Sequence, residues 1–267
     1  VVLSGTNTYT GVTTISAGVL RATSAAALGA IDNGTTVANG AALELSGGLT
    51  FNAEALTLNG TGISSGGALR NISGDNTYVG AITLGSAARI NSDSGTLSLD
   101  VASGDGISGT YGVTFGGAGN VTVADPIATG TGSLTKDGAG TLTLSGTNTY
   151  TGVTTISAGV LSVGTIGDGG VAGNLGQATS TASNLVFDGG TLQYTGSTAS
   201  TNRAFNITAA KTATIEIVTS GQALTISGNS GGATTGALTK TGAGTLTLSG
   251  TNTYTGVTTI SAGVLSV

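Results

Sequence analysis

The chain has 267 residues, of which 49 are Gly and 7% are charged, and it contains no Cys, Met, Trp or His. The absence of His and Cys excludes catalytic Ser–His or Cys–His arrangements and thiolate or imidazole metal sites. The formal net charge of −5 is thinly spread, so no basic patch is present to bind nucleic acid.

Apolar residues recur regularly along the chain and the mean hydropathy is +0.33, which favours a folded core over a disordered Gly-rich linker. No run of about 18 apolar residues is present to span a membrane as a helix. Abundant Thr, Val, Ile and Leu between Gly, Asn and Ser predict many short strands joined by tight turns.

One phrase, LSGTNTYTGVTTISAGVL, recurs along the chain. It occurs unchanged at Leu3–Leu20, Leu144–Leu161 and Leu248–Leu265, and a looser copy lies at Ile72–Ile90. The copies start 69, 72 and 104 residues apart, which corresponds to three or four coils of about 23–26 residues. The spacing predicts a β-solenoid of about eleven coils in which the phrase returns to the same face.

Between the copies, apolar residues alternate with polar ones at the period of a strand with one buried face. Helix is almost absent, because the best candidate, Thr23–Leu28, is better interpreted as a loop of small residues. Pairs that exemplify the alternation are Leu43 and Leu45, Leu97 and Leu99, Leu142 and Leu144, and Ile215 and Ile217.

The second copy yields a detailed prediction for one coil. Thr154 and Ile156 are expected to point inward, and Val153 and Val160 outward. Gly146 and Gly159 are expected at bends, with Asn148 bonding backbone or stacking in a ladder of Asn side chains. The structural repeat positions are Leu142, Leu144, Asn148, Tyr150, Ile156, Gly159, Leu161 and Val163.

Four of the six tyrosines, Tyr9, Tyr78, Tyr150 and Tyr254, belong to the phrase. They could form an exposed row that binds sugars. The favoured interpretation is a packing residue at a corner, with its hydroxyl at the surface.

Other candidate sites are weaker. Asp93, Asp100 and Asp105 could converge as paired carboxylates, but scattered solubilising charges are the favoured interpretation. The run around Asp168 matches a calcium-binding nonapeptide only in part. Lys136 and Lys240 share one repeat position, which indicates a structural or solvated role. Outward Thr rows suit either ice binding or simply a solvent-facing strand.

The segment GAGTLTLSGTNTYTGVTTISAGVLSVG closely resembles the autotransporter-associated β-strand repeat, or passenger-associated transport repeat, and Leu56–Leu84 is similar to the family's spacer. The resemblance implies an all-β, right-handed, single-stranded parallel β-helix in a bacterial surface protein exported by type V secretion. It also implies passage through an outer-membrane barrel not present in this chain. In that family the repeats are linked to export and folding rather than to catalysis.

These observations predict one continuous solenoid over residues 1–267, without caps, cut from a longer array. The expected function is a non-catalytic extracellular shaft of a surface fibre or adhesin. The alternatives are a glycan- or cell-binding face, an ice-binding solenoid and a β-helical polysaccharide-cleaving enzyme. The expected partners are further copies of the chain, end to end or side by side, and glycans or other cells. Cofactors, metals and nucleic acid are not expected.

Overall fold

The computed structural model describes residues 1–31, 33–232 and 234–267. It confirms the predicted class, an all-β parallel β-solenoid of about eleven turns with almost no helix. The segment Thr23–Leu28 forms turns instead of a helix. None of the helical turns in the described part of the chain has the length and apolarity needed to cross a membrane.

The chain divides into two compact units. The first unit comprises residues 1–132 and 138–142, and the second comprises residues 133–137 and 143–267.

Fifteen strands and one 3-10 turn lie in the first unit. They are β1 (Val2–Leu3), β2 (Thr13–Ile15), β3 (Gly18–Ala22), β4 (Thr35–Val37), β5 (Ala41–Ser46), β6 (Thr50–Phe51), β7 (Leu56–Gly60), the 3-10 turn Ile63–Ser65, β8 (Leu69–Ser73), β9 (Asn76–Tyr78), β10 (Ile82–Ser92), β11 (Thr96–Leu99), β12 (Ile107–Gly109), β13 (Val113–Gly116), β14 (Asn120–Val123) and β15 (Ile127–Ala128).

The strands of the second unit follow the same short pattern, and β17 has residues in both units. They are β16 (Leu134–Lys136), β17 (Thr141–Leu144), β18 (Thr154–Ile156), β19 (Val160–Val163), the 3-10 turn Ala182–Asn184, β20 (Leu185–Phe187), β21 (Thr191–Tyr194), β22 (Ala199–Thr201), β23 (Asn206–Ile207), β24 (Thr212–Ile217), β25 (Ala223–Ile226), β26 (Ala237–Thr241), β27 (Thr245–Leu248), β28 (Thr258–Ile260) and β29 (Val264–Ser266).

In the first unit the strands stack in parallel columns. One column runs β1-β3-β5-β8-β10-β13, a second runs β2-β4-β7-β10-β12-β15, and a third runs β6-β9-β11-β14. Strand β10 belongs to two columns because its start pairs with β7 and its end with β8. Each column therefore forms one face of the solenoid, and the chain turns a corner between faces.

The inward residues of each column lie directly above one another. In the first unit Leu20, Leu43, Leu69, Ile90 and Phe115 follow in register, at intervals of 23, 26, 21 and 25 residues. All five side chains are buried. Since a slip of one residue would turn the apolar side chains outward, this burial holds the register while corner loops vary in length.

The second unit has columns β16-β18-β20-β23, β19-β21-β24-β26-β28 and β22-β25-β27-β29. The register runs from Leu161 through Leu192, Ile215 and Lys240 to Ile260, with intervals of 31, 23, 25 and 20 residues. The longest coil carries a loop over residues 164–181. Individual coils thus depart from the predicted 23–26 residues, because their corners differ in length.

The expectation that the phrase returns to the same face is wrong in the second unit. Strand β18 of the second copy lies in the column of β16 and β20, whereas β28, with the same sequence, lies in the column of β19. Ile260 consequently stacks in the column of Leu161 rather than that of Ile156. The 104 residues that separate the second and third copies do not make up a whole number of coils, because the coils between the copies differ in length.

A ladder of alternating charges follows one face of the first unit. Arg21, Glu44 and Arg70 occupy successive register positions. Arg21 Nη2 lies 2.7 Å from Glu44 Oε2, Arg70 Nη1 lies 3.2 Å from Glu44 Oε1, and Arg70 Nη2 lies 2.5 Å from Asp93 Oδ2. Glu44 is only 4% exposed, so its carboxylate depends on both guanidinium groups for compensation.

We predict that Glu44→Gln lowers the free energy of unfolding by about 2 kcal/mol, because a neutral amide leaves two facing guanidinium groups without their shared anion. Urea unfolding of the full chain measures this loss. Asp105→Asn, at an exposed carboxylate, is the control and is expected to unfold at the wild-type midpoint. Equal midpoints for all three proteins would contradict the prediction.

Candidate functional site

The tyrosine of the phrase makes the same contact in each unchanged copy. Its hydroxyl pairs with the hydroxyl of the threonine four residues later. The pairs are Tyr9 with Thr13 at 2.8 Å, Tyr150 with Thr154 at 2.8 Å and Tyr254 with Thr258 at 3.0 Å. The identical sequence therefore gives an identical local geometry.

The four tyrosines differ in exposure. Tyr78 and Tyr150 are 0% exposed, whereas Tyr9 is 40% exposed. The expectation of surface hydroxyls is wrong for Tyr78 and Tyr150, since both hydroxyl contacts are buried. Burial raises the pKa of Tyr150 to about 12, because desolvation disfavours the phenolate. These two side chains are core residues and offer no platform for sugars.

A segment that we call the cover lies across the phrase and packs against this tyrosine. In the second copy the cover is Gly173–Gln177. The main chain of Asn148 exchanges two hydrogen bonds with Gly173, and Gln177 N–H donates to the Tyr150 carbonyl at 2.7 Å. Asn148 Nδ2 donates to the main-chain carbonyl of Asn174 at 2.8 Å. That donor is therefore used within the cover instead of in a ladder of Asn side chains.

The first copy has an equivalent cover, Ala26–Ala30. Asn7 N–H donates to the Ala26 carbonyl at 3.0 Å and Ala30 N–H donates to the Tyr9 carbonyl at 2.9 Å. Asn7 Nδ2 donates to the Ala27 carbonyl at 2.7 Å. The two covers share little sequence beyond Leu-Gly, so the structure was needed to find this recurring element.

The glycine of each cover is required by the tyrosine beneath it. A Cβ atom on Gly176 would lie 2.7 Å from Tyr150 Cε2 and from the Tyr150 carbonyl oxygen, and Gly29 stands in the same relation to Tyr9. Both glycines have positive φ, 72° at Gly176 and 92° at Gly29. Only glycine meets both conditions without strain.

We predict that Gly176→Ala destabilises the chain by several kcal/mol, because the new methyl group overlaps the tyrosine ring and a backbone oxygen. Gly170→Ala is the matched control, with φ of 87° and nothing within 4 Å of its Cβ position. It is expected to cost about 1 kcal/mol, the backbone strain alone. Thermal unfolding compares the stability of the two variants. Equal losses of stability in Gly176→Ala and Gly170→Ala would disprove the overlap argument.

Tyr78, in the looser copy, has a different partner. Its hydroxyl donates to the main-chain carbonyl of Glu54 at 2.7 Å. The Glu54 side chain is 2% exposed, and Oε1 accepts a hydrogen bond from Thr35 Oγ1 at 2.7 Å. Oε2 has no hydrogen-bond partner in the described part of the chain. Desolvation raises the pKa of Glu54, and the Thr35 hydrogen bond offsets this only partly.

Glu54→Gln is predicted to change the pH dependence of stability. As pH rises above the ordinary carboxyl pKa of about 4.5, unfolded Glu54 ionises while folded Glu54 resists ionisation. The wild-type free energy of unfolding therefore falls until the pH passes the raised folded pKa. The variant cannot ionise, so its stability relative to wild type should increase over this interval.

Urea midpoints of wild type and Glu54→Gln, compared between about pH 4 and pH 9, measure this effect. Asp100→Asn, at an exposed carboxylate, is expected to follow the wild-type profile. A stability difference between Glu54→Gln and wild type that stayed constant with pH would rule out the buried carboxyl as its source.

Two lysines at the shared repeat position are buried. Lys136 is 2% exposed and Lys240 is 0% exposed. Lys240 Nζ donates to the carbonyls of Thr241, Gly242 and Ala262, and Lys136 Nζ donates to those of Asp137 and Ala158. Of the two roles left open, the structural one applies. The ammonium groups bind main-chain carbonyls at a corner, and the aliphatic stems occupy inward positions.

Arg203 was not singled out from the sequence, yet it organises the loop over residues 164–181. It is 4% exposed, and its guanidinium donates to five main-chain carbonyls of that loop. The shortest of these bonds runs from Nη2 to the Gly176 carbonyl at 2.7 Å. Desolvation lowers the pKa of Arg203. The side chain supports the cover and faces away from solvent.

The candidate acids do not assemble into a site. Asp93 accepts hydrogen bonds from Arg70 and Asn91, whereas Asp100 and Asp105 are exposed beyond strand β11. Asp168 Oδ1 accepts the main-chain N–H of Asn202 at 2.8 Å. Among the described residues no group of three or more acidic, His or Cys side chains could hold a metal ion.

Outward threonines stack as anticipated on one face of the first unit. The register joins Thr14, Thr36, Thr57, Thr83 and Ser108 in consecutive coils. Thr83 and Ser108 hydroxyls lie 3.3 Å apart. Ice binding by such a row stays a prediction.

The remaining repeat positions of the second copy are located as follows. Leu142, Leu144, Ile156, Leu161 and Val163 are all 0% exposed. Thr154 is also buried, Val153 and Val160 are half-exposed, and Gly159 has φ of 61°.

A family model described as the passenger-associated-transport-repeat matches residues 1–22, 134–163 and 238–267. The chain therefore carries passenger-associated transport repeats, and the resemblance stated above is confirmed.

One relative of the chain is the "Adhesin BmaC autotransporter" of Brucella suis biovar 1 (strain 1330). It is 39% identical over 244 residues, which is 90% of this chain but 6% of that protein. The chain thus spans a small part of the length of this curated relative. No solved structure matches.

Proposed function

We propose that this chain is a structural shaft segment in the passenger of an autotransporter-type adhesin on a bacterial surface. The observation that supports this most directly is the use of its buried polar groups. Lys136, Lys240 and Arg203 all bind main-chain carbonyls, and Glu44 binds arginines. These groups hold coils together and leave none of their charges directed at a substrate.

The passenger repeats and the adhesin relative support an extracellular location reached by autotransporter export. The parallel columns suit that setting, because each coil satisfies its backbone hydrogen bonds on the coil before it and can fold as the chain emerges. Catalysis forms no part of this proposal, since Asp93 is paired with Arg70 and both Asp100 and Asp105 are exposed.

The last copy of the phrase carries exposed apolar side chains. Val257, Ile260 and Val264 are 73%, 54% and 55% exposed. Their counterparts in the second copy, Val153, Ile156 and Val160, are half-buried or buried beneath later residues. Self-association of the protein, end to end or side by side, is part of the proposal.

The identical copies allow a precise deletion in the full polypeptide that carries these residues. Removing residues 144–247 joins Thr143 to Leu248 and restores an unchanged phrase. The product is expected to reach the cell surface folded. Its passenger should be shorter by about four coils, roughly 20 Å, as measured by electron microscopy of the purified protein.

The control removes residues 150–257, which joins Thr149 to Thr258, so the product lacks the tyrosine of the phrase and its Tyr-Thr contact. This product is expected to be protease-sensitive. If the in-phrase deletion left passenger length unchanged, or unfolded as readily as the control, the shaft proposal would be wrong.

A further inference from the structure

An open groove lies at one corner of the second unit and includes the end of the loop over residues 164–181. It has a volume of about 340 Å³ and crosses three successive coils. Its polar lining consists of Ser180, Thr181, Asn202, Ser227 and Asn229. A volume of this size lies at the lower end of the range for small-molecule sites.

The floor of the groove keeps its shape because small residues bring the coils close together. A Cβ atom on Gly228 would overlap the main chain of Arg203 and Ala204, and one on Gly231 would lie 2.5 Å from Ala182 Cβ. The floor is therefore backbone and methyl groups, and the polar side chains stand along the sides.

Two asparagine side chains are held in a defined orientation. Asn202 Oδ1 accepts the N–H of Gly169 and Asn229 Oδ1 accepts the N–H of Thr251, each at 2.8 Å. Both residues are exposed. With the carbonyl oxygens bound to main chain, the two Nδ2 groups are the amide atoms left to donate to a ligand.

Hydroxyl groups supply the remaining polar atoms of the groove lining. Ser227 Oγ donates to the Thr201 carbonyl at 3.1 Å, so it offers its lone pairs as an acceptor. Thr181 is exposed, and Ser180 is half-buried. The groove thus presents fixed donors and acceptors side by side, as recognition of a polyhydroxylated molecule requires.

Charge limits the choice of ligand. The lining contains no charged side chain, and the guanidinium of Arg203 is turned inward to the carbonyls of the 164–181 loop. Asp168 bonds the Asn202 N–H and so places a carboxylate beside the groove. An anionic ligand would be repelled there, and a cationic one would find no carboxylate in the lining.

We propose that this groove binds an uncharged oligosaccharide, with the Nδ2 groups of Asn202 and Asn229 donating to sugar oxygens. The site adds a binding activity to the shaft and does not depend on the shaft proposal. A neutral glycan of a host cell and one of a bacterial surface offer the same hydroxyl groups, so the test includes both.

The experiment applies the purified full chain to an array of neutral, sialylated and sulfated glycans from mammalian and bacterial sources. Neutral glycans are expected to bind, and calorimetry then measures the affinity for the best of them. Binding only of mammalian or only of bacterial neutral glycans identifies the source, and either result supports the site.

The variant Asn202→Asp/Asn229→Asp keeps both structural acceptor oxygens and replaces both donors by carboxylate oxygens. It is expected to bind the neutral glycan at least about tenfold more weakly. Thr181→Val, which removes one exposed hydroxyl, should weaken binding by a smaller factor. It provides a second readout should the double variant unfold.

Asn120→Asp is the matched control. Asn120 is exposed, its Oδ1 accepts the Thr141 N–H at 2.9 Å, and it belongs to the other unit. Its affinity should equal that of wild type. The proposal is overturned if no neutral glycan binds, if only sialylated or sulfated glycans bind, or if folded groove variants bind as tightly as the control.

Discussion

The structure depends on the in-register stacking of parallel strands. An inward apolar residue such as Leu43 packs between its register partners Leu20 and Leu69 in the coils before and after. Because side chains alternate between faces, a slip by one residue would expose the whole apolar set. Register is therefore strongly specified within the strands, and the corners can vary in length and composition.

The corner loops account for the differences in length and sequence between the coils. The two covers reach their phrases after different lengths of chain, yet Gly29 and Gly176 arrive at the same contact with Tyr9 and Tyr150. The longer route in the second unit is stabilised by Arg203, whose guanidinium binds the carbonyls of the intervening loop. A conserved geometry at the tyrosine is thus compatible with variable loops around it.

The buried charges of Glu44, Lys240 and Arg203 are compensated in two ways. Glu44 pairs with two arginines, while Lys240 and Arg203 bind backbone carbonyls at the corners. At the groove in the second unit, the polar part of the corner surface consists of hydroxyl and amide groups. That division is consistent with a protein whose interior carries the shaft and whose surface is available for weak, uncharged ligands.

The sequence by itself determined the fold class, the period-two strands and the repeat family, because alternation and repetition are local properties of the chain. It did not reveal that the phrase moves to another face, since that depends on the summed lengths of corners. Burial of Tyr150 and Lys240 likewise follows from residues of other coils. The groove around Asn202 and Asn229 exists only where three corners meet. Tertiary structure decided these features because each is a contact between segments distant in sequence.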